Sequence, residues 1–434
     1  MTAIPMFEIE FTKEGRLFDT RQTDAVVDAL PQFSDLIVFS HGWNNDMADA
    51  RALSHDFLQK VEEVFDEGIV PEVQGRTFSA IIVLWPSKKF TDEELIPGGG
   101  ASLNEDLRPV ERILEELKND PNRLGQQDVS EVRKKLVDQA KALLPQLKVD
   151  AAARRDYVFL LRALVSPTEA HADDGSLEFF TRKPEEIFNA MSAAVAAPIG
   201  PGAGGTTSLG GGGAAGLKDI VDGIVGAARR LANFATYYQM KERAGLVGRT
   251  GLNQVLRRLR KQKPALRLHL IGHSFGARLV TAAADALDAN TGAVTLALVQ
   301  GAYSHNGLAQ KFDGQNDGFF RKLITEKRVS GPIIITHTKN DWLSGSSRIS
   351  NTMTAAFGDE NDPYGGLGRN GAQRTPEAKR LAQALADLTD EQPGPYNFVA
   401  GKIYNLKADQ FIKGHSDIGK HQVAYAVLKA AGQV

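Results

Sequence analysis

Apolar and polar positions along this chain follow two periods, and the changes between them mark its elements. Six short apolar runs bounded by turn residues predict strands: 35–40, 80–85, 266–271, 294–299, 332–337 and 398–406. Between the first two lies a helical pattern, Met47 to Phe65, with Leu53, Phe57, Val61 and Phe65 on one stripe. Strand, helix, strand is a βαβ unit, which predicts a parallel sheet. From Pro86 to 265 no regular strand pattern recurs. That interval carries helical spacing instead: Ile113, Leu114 and Leu117, then Val129, Val132, Leu136, Val137, Ala140, Leu143 and Leu144, then Tyr157 to Leu164. Beyond 266 the alternation resumes, with helices expected at 279–287, 376–388 and 423–428.

The pattern divides the chain into a first core part, 1–87, a mostly helical insertion, 88–245, and a second core part, 246–434. Within the insertion, nine of the seventeen residues from Gly200 to Gly216 are glycine, the composition of a flexible linker or lid. Phosphate binding is not expected there, since no Gly-Lys-Ser/Thr follows.

One run carries chemistry: Gly272-His273-Ser274-Phe275-Gly276-Ala277-Arg278. A strand pattern leads into it and a small-residue helix, Leu279 to Leu287, leads out, the context that G-x-S-x-G requires. A serine at so sharp a strand-to-helix turn is held strained and exposed at the carboxyl edge of the sheet. Gly272 and Gly276 are expected because Cβ atoms there would collide. The rival reading makes Ser274 a helix N-cap.

A serine hydroxyl needs a base to take its proton and a third group to orient that base. His415 lies on the loop between the last strand and the last helix, and Asp341 directly follows the 332–337 strand. The chain order Ser274, Asp341, His415 is that of α/β hydrolases. Asp313 and Asp317, after the preceding strand, compete for the acid. His421 competes with His415 but falls at a first-turn helix position, and Asp417 is a candidate cap of the last helix. His269 and His337 sit within strands and are expected to be packed, neutral residues. An oxyanion needs two N–H donors. The Phe275 N–H is the first candidate and the Trp43 N–H, beside Gly42, the second, with Trp43 as a core aromatic the rival reading.

Taken together, Phe39-Ser40-His41-Gly42-Trp43-Asn44, Gly272-His273-Ser274-Phe275-Gly276, Lys339-Asn340-Asp341 and Gly414-His415-Ser416-Asp417 resemble the α/β-hydrolase superfamily, in the form of bacterial serine esterases and lipase-like members. The resemblance covers 1–86 and 247–434. It implies a doubly wound, mostly parallel sheet of about eight strands with a large helical cap, and hydrolysis of an ester, thioester or amide through an acyl-serine. The substrate stays open, because one fold hosts many chemistries. The Ala-, Gly-, Val-, Ile- and Met-rich stretch from Phe188 to Phe234 leans toward lipophilic or lipid esters and allows membrane-surface contact. A ligand-binding protein on the same fold, a peptidase and a delivered lipase toxin are the alternatives.

Composition narrows the rest. Basic and acidic residues number 51 and 53, a formal charge of −2, which gives no argument for a nucleic-acid partner. The basic run from Arg257 to Lys263 closes a predicted helix, where cations are favoured. Cys is absent, so thiol and disulfide chemistry are excluded, and no metal is implied. No cofactor is expected. The first ten residues lack a signal-peptide pattern and no window offers a membrane span, so a cytoplasmic protein is expected.

Overall fold

The structure, a computed structural model, describes residues 4–42, 47–87, 107–120, 123–124, 130–193, 214–289, 292–341, 364–379 and 396–434. Seven strands form one sheet: β1 Met6–Glu10, β2 Asp35–Ser40, β3 Phe78–Leu84, β4 Arg267–His273, β5 Val294–Val299, β6 Ile333–His337 and β7 Ile403–Lys407. Their order is β1-β3-β2-β4-β5-β6-β7, and every pairing is parallel.

Parallel neighbours require crossovers, and helices supply them on both faces. Helix α1, Thr20–Ala29, joins β1 to β2, and α2, Met47–Asp66, joins β2 to β3. Alternate strand residues point to opposite faces, and each face is buried. Val38, Val83, Leu270 and Leu298 pack on the α1 side; Phe39, Ile82, Ile271 and Val299 pack on the α2 side. Burial on both faces is why these strands read as continuous apolar runs.

Between β3 and β4 lie α3 Arg108–Lys118, α4 Glu131–Leu143, α5 Ala151–Ala163, the short α6 Ser176–Thr181, α7 Pro184–Ala193 and the 33-residue α8 Ala214–Leu246. They enclose a third core, in which Leu114, Val137, Tyr157, Phe188 and Phe234 meet. Helix α8 belongs to two cores: Leu231 and Phe234 pack among these helices, whereas Met240 and Ala244 pack against the sheet. It runs without interruption through a π-helical turn, Val247–Leu252, into α9, Asn253–Gln262. Gly248 and Gly251 permit the close packing of that turn: a Cβ on them would stand 2.2 Å from the Leu279 carbonyl oxygen and 2.6 Å from that of Gly15. The expected boundary at 245/246 therefore falls inside a continuous helical rod. After β4 come α10 Phe275–Asp285, then α11 Arg321–Thr325, α12 Leu367–Asn370, α13 Pro376–Lys379 and α14 His421–Ala431.

Several expectations are corrected. Seven strands occur among the described residues, near the expected eight, and one of them, β1, has no counterpart among the expected strands. Its sequence Met-Phe-Glu-Ile-Glu alternates with acids because it is an edge strand, whose Glu8 and Glu10 pair with Arg51 and Arg123. The last strand begins at Ile403 rather than 398: Gly401, at φ 70°, closes a turn in which the Lys402 N–H donates to the Val399 carbonyl. Phe398 instead stacks on Tyr396, centroids 4.8 Å apart. Val132 is 69% exposed rather than on the buried stripe, and Val129 lies outside the described residues. So do most of the 376–388 helix and of the glycine-rich segment 200–216. Asp417 does not cap α14, whose N-cap is Lys420; it accepts the Lys413 N–H and pairs with Lys420.

Candidate active site

Strand order places the site. From β2 the chain crosses to β3 on one side, and from β4 to β5 on the other, while β2 and β4 are hydrogen-bonded neighbours. The carboxyl ends of such a diverging pair border a crevice. Gly42 follows β2 there, and Ser274 follows β4.

Ser274 sits at φ 56° and ψ −123°, a conformation costly to any residue with a side chain. Its surroundings hold it in place. The Ser274 N–H donates to the Val299 carbonyl at 3.1 Å, and its own carbonyl accepts from Ala302 and Ala277, each at 3.0 Å. A Cβ at Gly272 would stand 2.3 Å from the Gly276 carbonyl oxygen, a collision within the turn. A Cβ at Gly276 would stand 2.1 Å from the Ser40 carbonyl oxygen, so that glycine answers to the neighbouring strand instead. Gly42 is needed as well, since a Cβ there would come within 2.4 Å of the Ser274 Cβ.

The distant residues converge on this serine. His415 Nε2 lies 2.7 Å from Ser274 Oγ, and His415 Nδ1 lies 3.1 and 3.0 Å from the two Asp341 oxygens. A carboxylate only accepts, so Nδ1 carries the proton and Nε2 presents its lone pair to the serine hydroxyl, the tautomer a general base requires. Asp341 is wholly buried. Its Oδ2 also accepts from Gln300 Nε2 at 3.0 Å, and that amide is fixed in turn by the Gly368 carbonyl and by Thr336 Oγ1. Local sequence pattern does not single out Gln300. The available signal was an amide at the carboxyl end of the apolar run Leu296-Ala297-Leu298-Val299.

The competitors lie elsewhere. Asp313 is exposed and accepts N–H groups of its own turn, which hold its carboxyl down at about 2. Asp317 accepts the Lys311 N–H, and His421 Nε2 meets Glu67 at 2.7 Å. His269 is bonded to Thr295 and Asp35 inside the sheet. Burial pushes His337 down to about 4, which keeps it neutral.

Two further histidines flank Ser274. His41 is fully buried, and burial lowers it to about 4. Its Nδ1–H donates to the Gly42 carbonyl at 2.8 Å, its Nε2 accepts from the Trp85 N–H at 3.4 Å, and the Trp85 indole N–H returns to the His41 carbonyl at 3.1 Å. His273, immediately before Ser274, donates from Nε2 to the His415 carbonyl at 2.9 Å. Phe275 opens α10, and the first N–H groups of a helix carry its positive end. Its ring packs on Tyr237 with centroids 5.2 Å apart. Trp43 lies outside the described residues.

Behind Ser274 lies a buried ion network that no local pattern signals. Arg278 of α10 is paired with Glu169, which also pairs with Arg249. Lys241 of α8 pairs with Asp174, and Arg278 Nε donates to the Lys241 carbonyl at 3.1 Å. The segment 169–174 is thereby tied to α10.

Among the described residues no cluster of three or more His, Cys, Asp or Glu side chains could hold a metal, and no helix is long and apolar enough to cross a membrane. Comparison with models of protein families, with curated proteins and with solved structures found no match.

Proposed function

We propose that this chain is a serine hydrolase of the α/β-hydrolase type that cleaves carboxylic esters through an acyl-serine. The observation that carries the proposal is the continuous line Asp341, His415, Ser274, hydrogen-bonded at 3.0 and 2.7 Å, with the serine on a strained strand-to-helix turn. In this reading His415 Nε2 takes the Ser274 proton as Oγ adds to the ester carbonyl. Asp341 stabilises the imidazolium that forms. The oxyanion is held by the Phe275 N–H at the head of α10 and by the Trp43 N–H. The acyl–alkoxy bond then breaks, the leaving alkoxide takes the His415 proton, and a water activated by the same histidine releases the acid.

The helices of 107–246 act as the cap. Support comes from their ties to the crevice loops: Ser304 Oγ donates to the Asp173 carbonyl at 2.7 Å, and the Phe319 N–H donates to the Asp173 carboxylate at 3.0 Å. Lipophilic esters are the proposed substrates, from the apolar character of 188–234.

A fluorophosphonate probe tests the reading. Labelling of the intact chain at Ser274, lost in Ser274→Ala, is the expected result, with the peptide identified by mass spectrometry. A folded protein that takes no label would replace the hydrolase with a ligand-binding protein on this fold. Acyl esters of graded chain length against peptides then sort the substrate.

Gln300 supplies a second test. Gln300→Leu removes a donor to the buried carboxylate, and a hydrogen bond to a charged group contributes about 1.5 kcal/mol or more, so ester turnover should fall about ten-fold. A folded Gln300→Leu variant with wild-type turnover would show that Asp341 needs no such support.

A further inference from the structure

The histidine that precedes the nucleophile has no part in the proton transfers above, yet its position is specific. His273 ends β4, is 2% exposed, and packs its ring on that of His415 with centroids 5.0 Å apart. Its Nε2 lies 2.9 Å from the His415 carbonyl oxygen. A carbonyl only accepts, so Nε2 carries the proton and Nδ1 is left with a lone pair. Among the described residues that Nδ1 is buried with no hydrogen-bond partner. A buried imidazole with one nitrogen unsatisfied costs free energy, so its other bond calls for an explanation.

The loop that carries His415 shows what that bond does. Ahead of the histidine, the loop is fixed to the turn bearing Asp341: Asn340 Nδ2 donates to the Asp409 and Ile412 carbonyls, each at 2.8 Å, and Asp409 accepts from Thr338 and Lys339. At His415 itself, the main chain is held by His273. We propose that His273 is a positioning residue: its Nε2–H fixes the peptide of His415 to the strand that leads into Ser274, so that base and nucleophile move as one body. This rests on the serine-hydrolase reading. The role demands a ring that does not titrate during turnover. Burial, reinforced by the neighbouring His415, holds His273 down at about 3. It therefore stays a neutral Nε2–H donor when His415 becomes positive.

Three variants of the 434-residue chain test this. His273→Leu keeps an apolar body without the donor. His273→Gln places its amide nitrogen the same number of bonds from the main chain as Nε2. His273→Asn is too short to reach. Two readouts are followed: the rate of Ser274 phosphonylation, and the downfield proton resonance of the His415 Nδ1–H in its bond to Asp341. His273→Leu should slow phosphonylation about ten-fold, the scale of one hydrogen bond, and broaden the resonance, while His273→Gln restores both. A folded His273→Leu variant with rate and resonance unchanged, or a His273→Gln variant no better than it, overturns the proposal. Should His273→Leu not fold, the comparison passes to His273→Gln and His273→Asn, and equal behaviour of that pair overturns it. Absence of labelling in the wild type would remove the hydrolase reading alone, because the resonance reports on His273 without any turnover.

Discussion

Ser274→Ala is expected to lower ester turnover by about four or more orders of magnitude, and His415→Ala by about as much. Both should leave the fold intact. Alanine at 274 keeps the Cβ, the φ of 56° and the main-chain bonds to Val299 and Ala302, and loses only Oγ. The double variant should be no slower than either single one, because in the proposed mechanism nucleophile and base act as a unit. Asp341→Asn should cost less, yet still heavily. The carboxylate accepts donors from two sides, His415 Nδ1–H and Gln300 Nε2–H. An amide there must turn its NH2 toward one of these donors. Facing His415, it would favour the tautomer whose Nε2 carries the proton and cannot accept from Ser274. Steady-state kinetics on a chromogenic ester, with circular dichroism as the folding control, measures all four variants. Near-normal turnover in Ser274→Ala would end the assignment. Activity that survives His415→Ala but not His421→Ala would move the base, against the 2.7 Å contact of His421 with Glu67.

The largest effect on stability is expected at Glu169. The Arg278 guanidinium is fully buried, and Glu169 neutralises it while also meeting Arg249. Glu169→Gln leaves Arg278 in the interior without its counter-charge, and breaking a buried pair costs about 3–5 kcal/mol. The cation–π contacts of Arg278 with Phe319 and Phe320, at 4.9 and 5.1 Å, remain and offset only part of that loss. Urea denaturation near neutral pH measures it, and a change below about 1 kcal/mol, the scale of an exposed pair, would mean that water reaches the site.

The same pair has a pH signature. Burial by itself raises the Glu169 carboxyl, but Arg278 and Arg249 more than reverse it, so its folded value lies below the ordinary one. Its contribution is therefore fully present above the unfolded glutamate value of about 4.3 and is lost as pH falls through the lower, folded value. Acid destabilisation of the wild type starts sooner, below about pH 6.5, because His41 and His273 are held neutral with values of about 4 and 3. The difference between wild type and Glu169→Gln isolates the carboxylate: it should be constant from neutral pH to about pH 5 and shrink below about pH 4.

Local pattern was enough for much of the architecture. Strands buried on both faces must be apolar throughout, so β2 to β6 stand out in the sequence, and the helices between them follow from crossover geometry. The edge strand β1 escaped because one side of it meets charged residues, and β7 was misplaced because Phe398 packs as an aromatic outside the ladder. The turn chemistry Gly272-His273-Ser274-Phe275-Gly276 and the chain order of Asp341 and His415 were also legible, since both depend on where a residue falls relative to a strand end.

What the chain could not disclose were relations between residues far apart in it. Gln300 meets Asp341 because β5 and β6 are neighbours, and His273 meets the His415 carbonyl across a loop whose path local preferences do not encode. Asp313 and Asp317 are set apart by their partners, the two acids being occupied in a surface turn. Gly276 was recognised for the wrong neighbour: its missing Cβ makes room for Ser40, on a strand more than two hundred residues earlier. The ion network of Glu169, Arg278 and Arg249 was invisible for the same reason. Periodicity and turn preference act over a few residues and are written in the sequence, whereas hydrogen bonds and desolvated charges act over a few ångströms, and only the folded chain decides which side chains come that close.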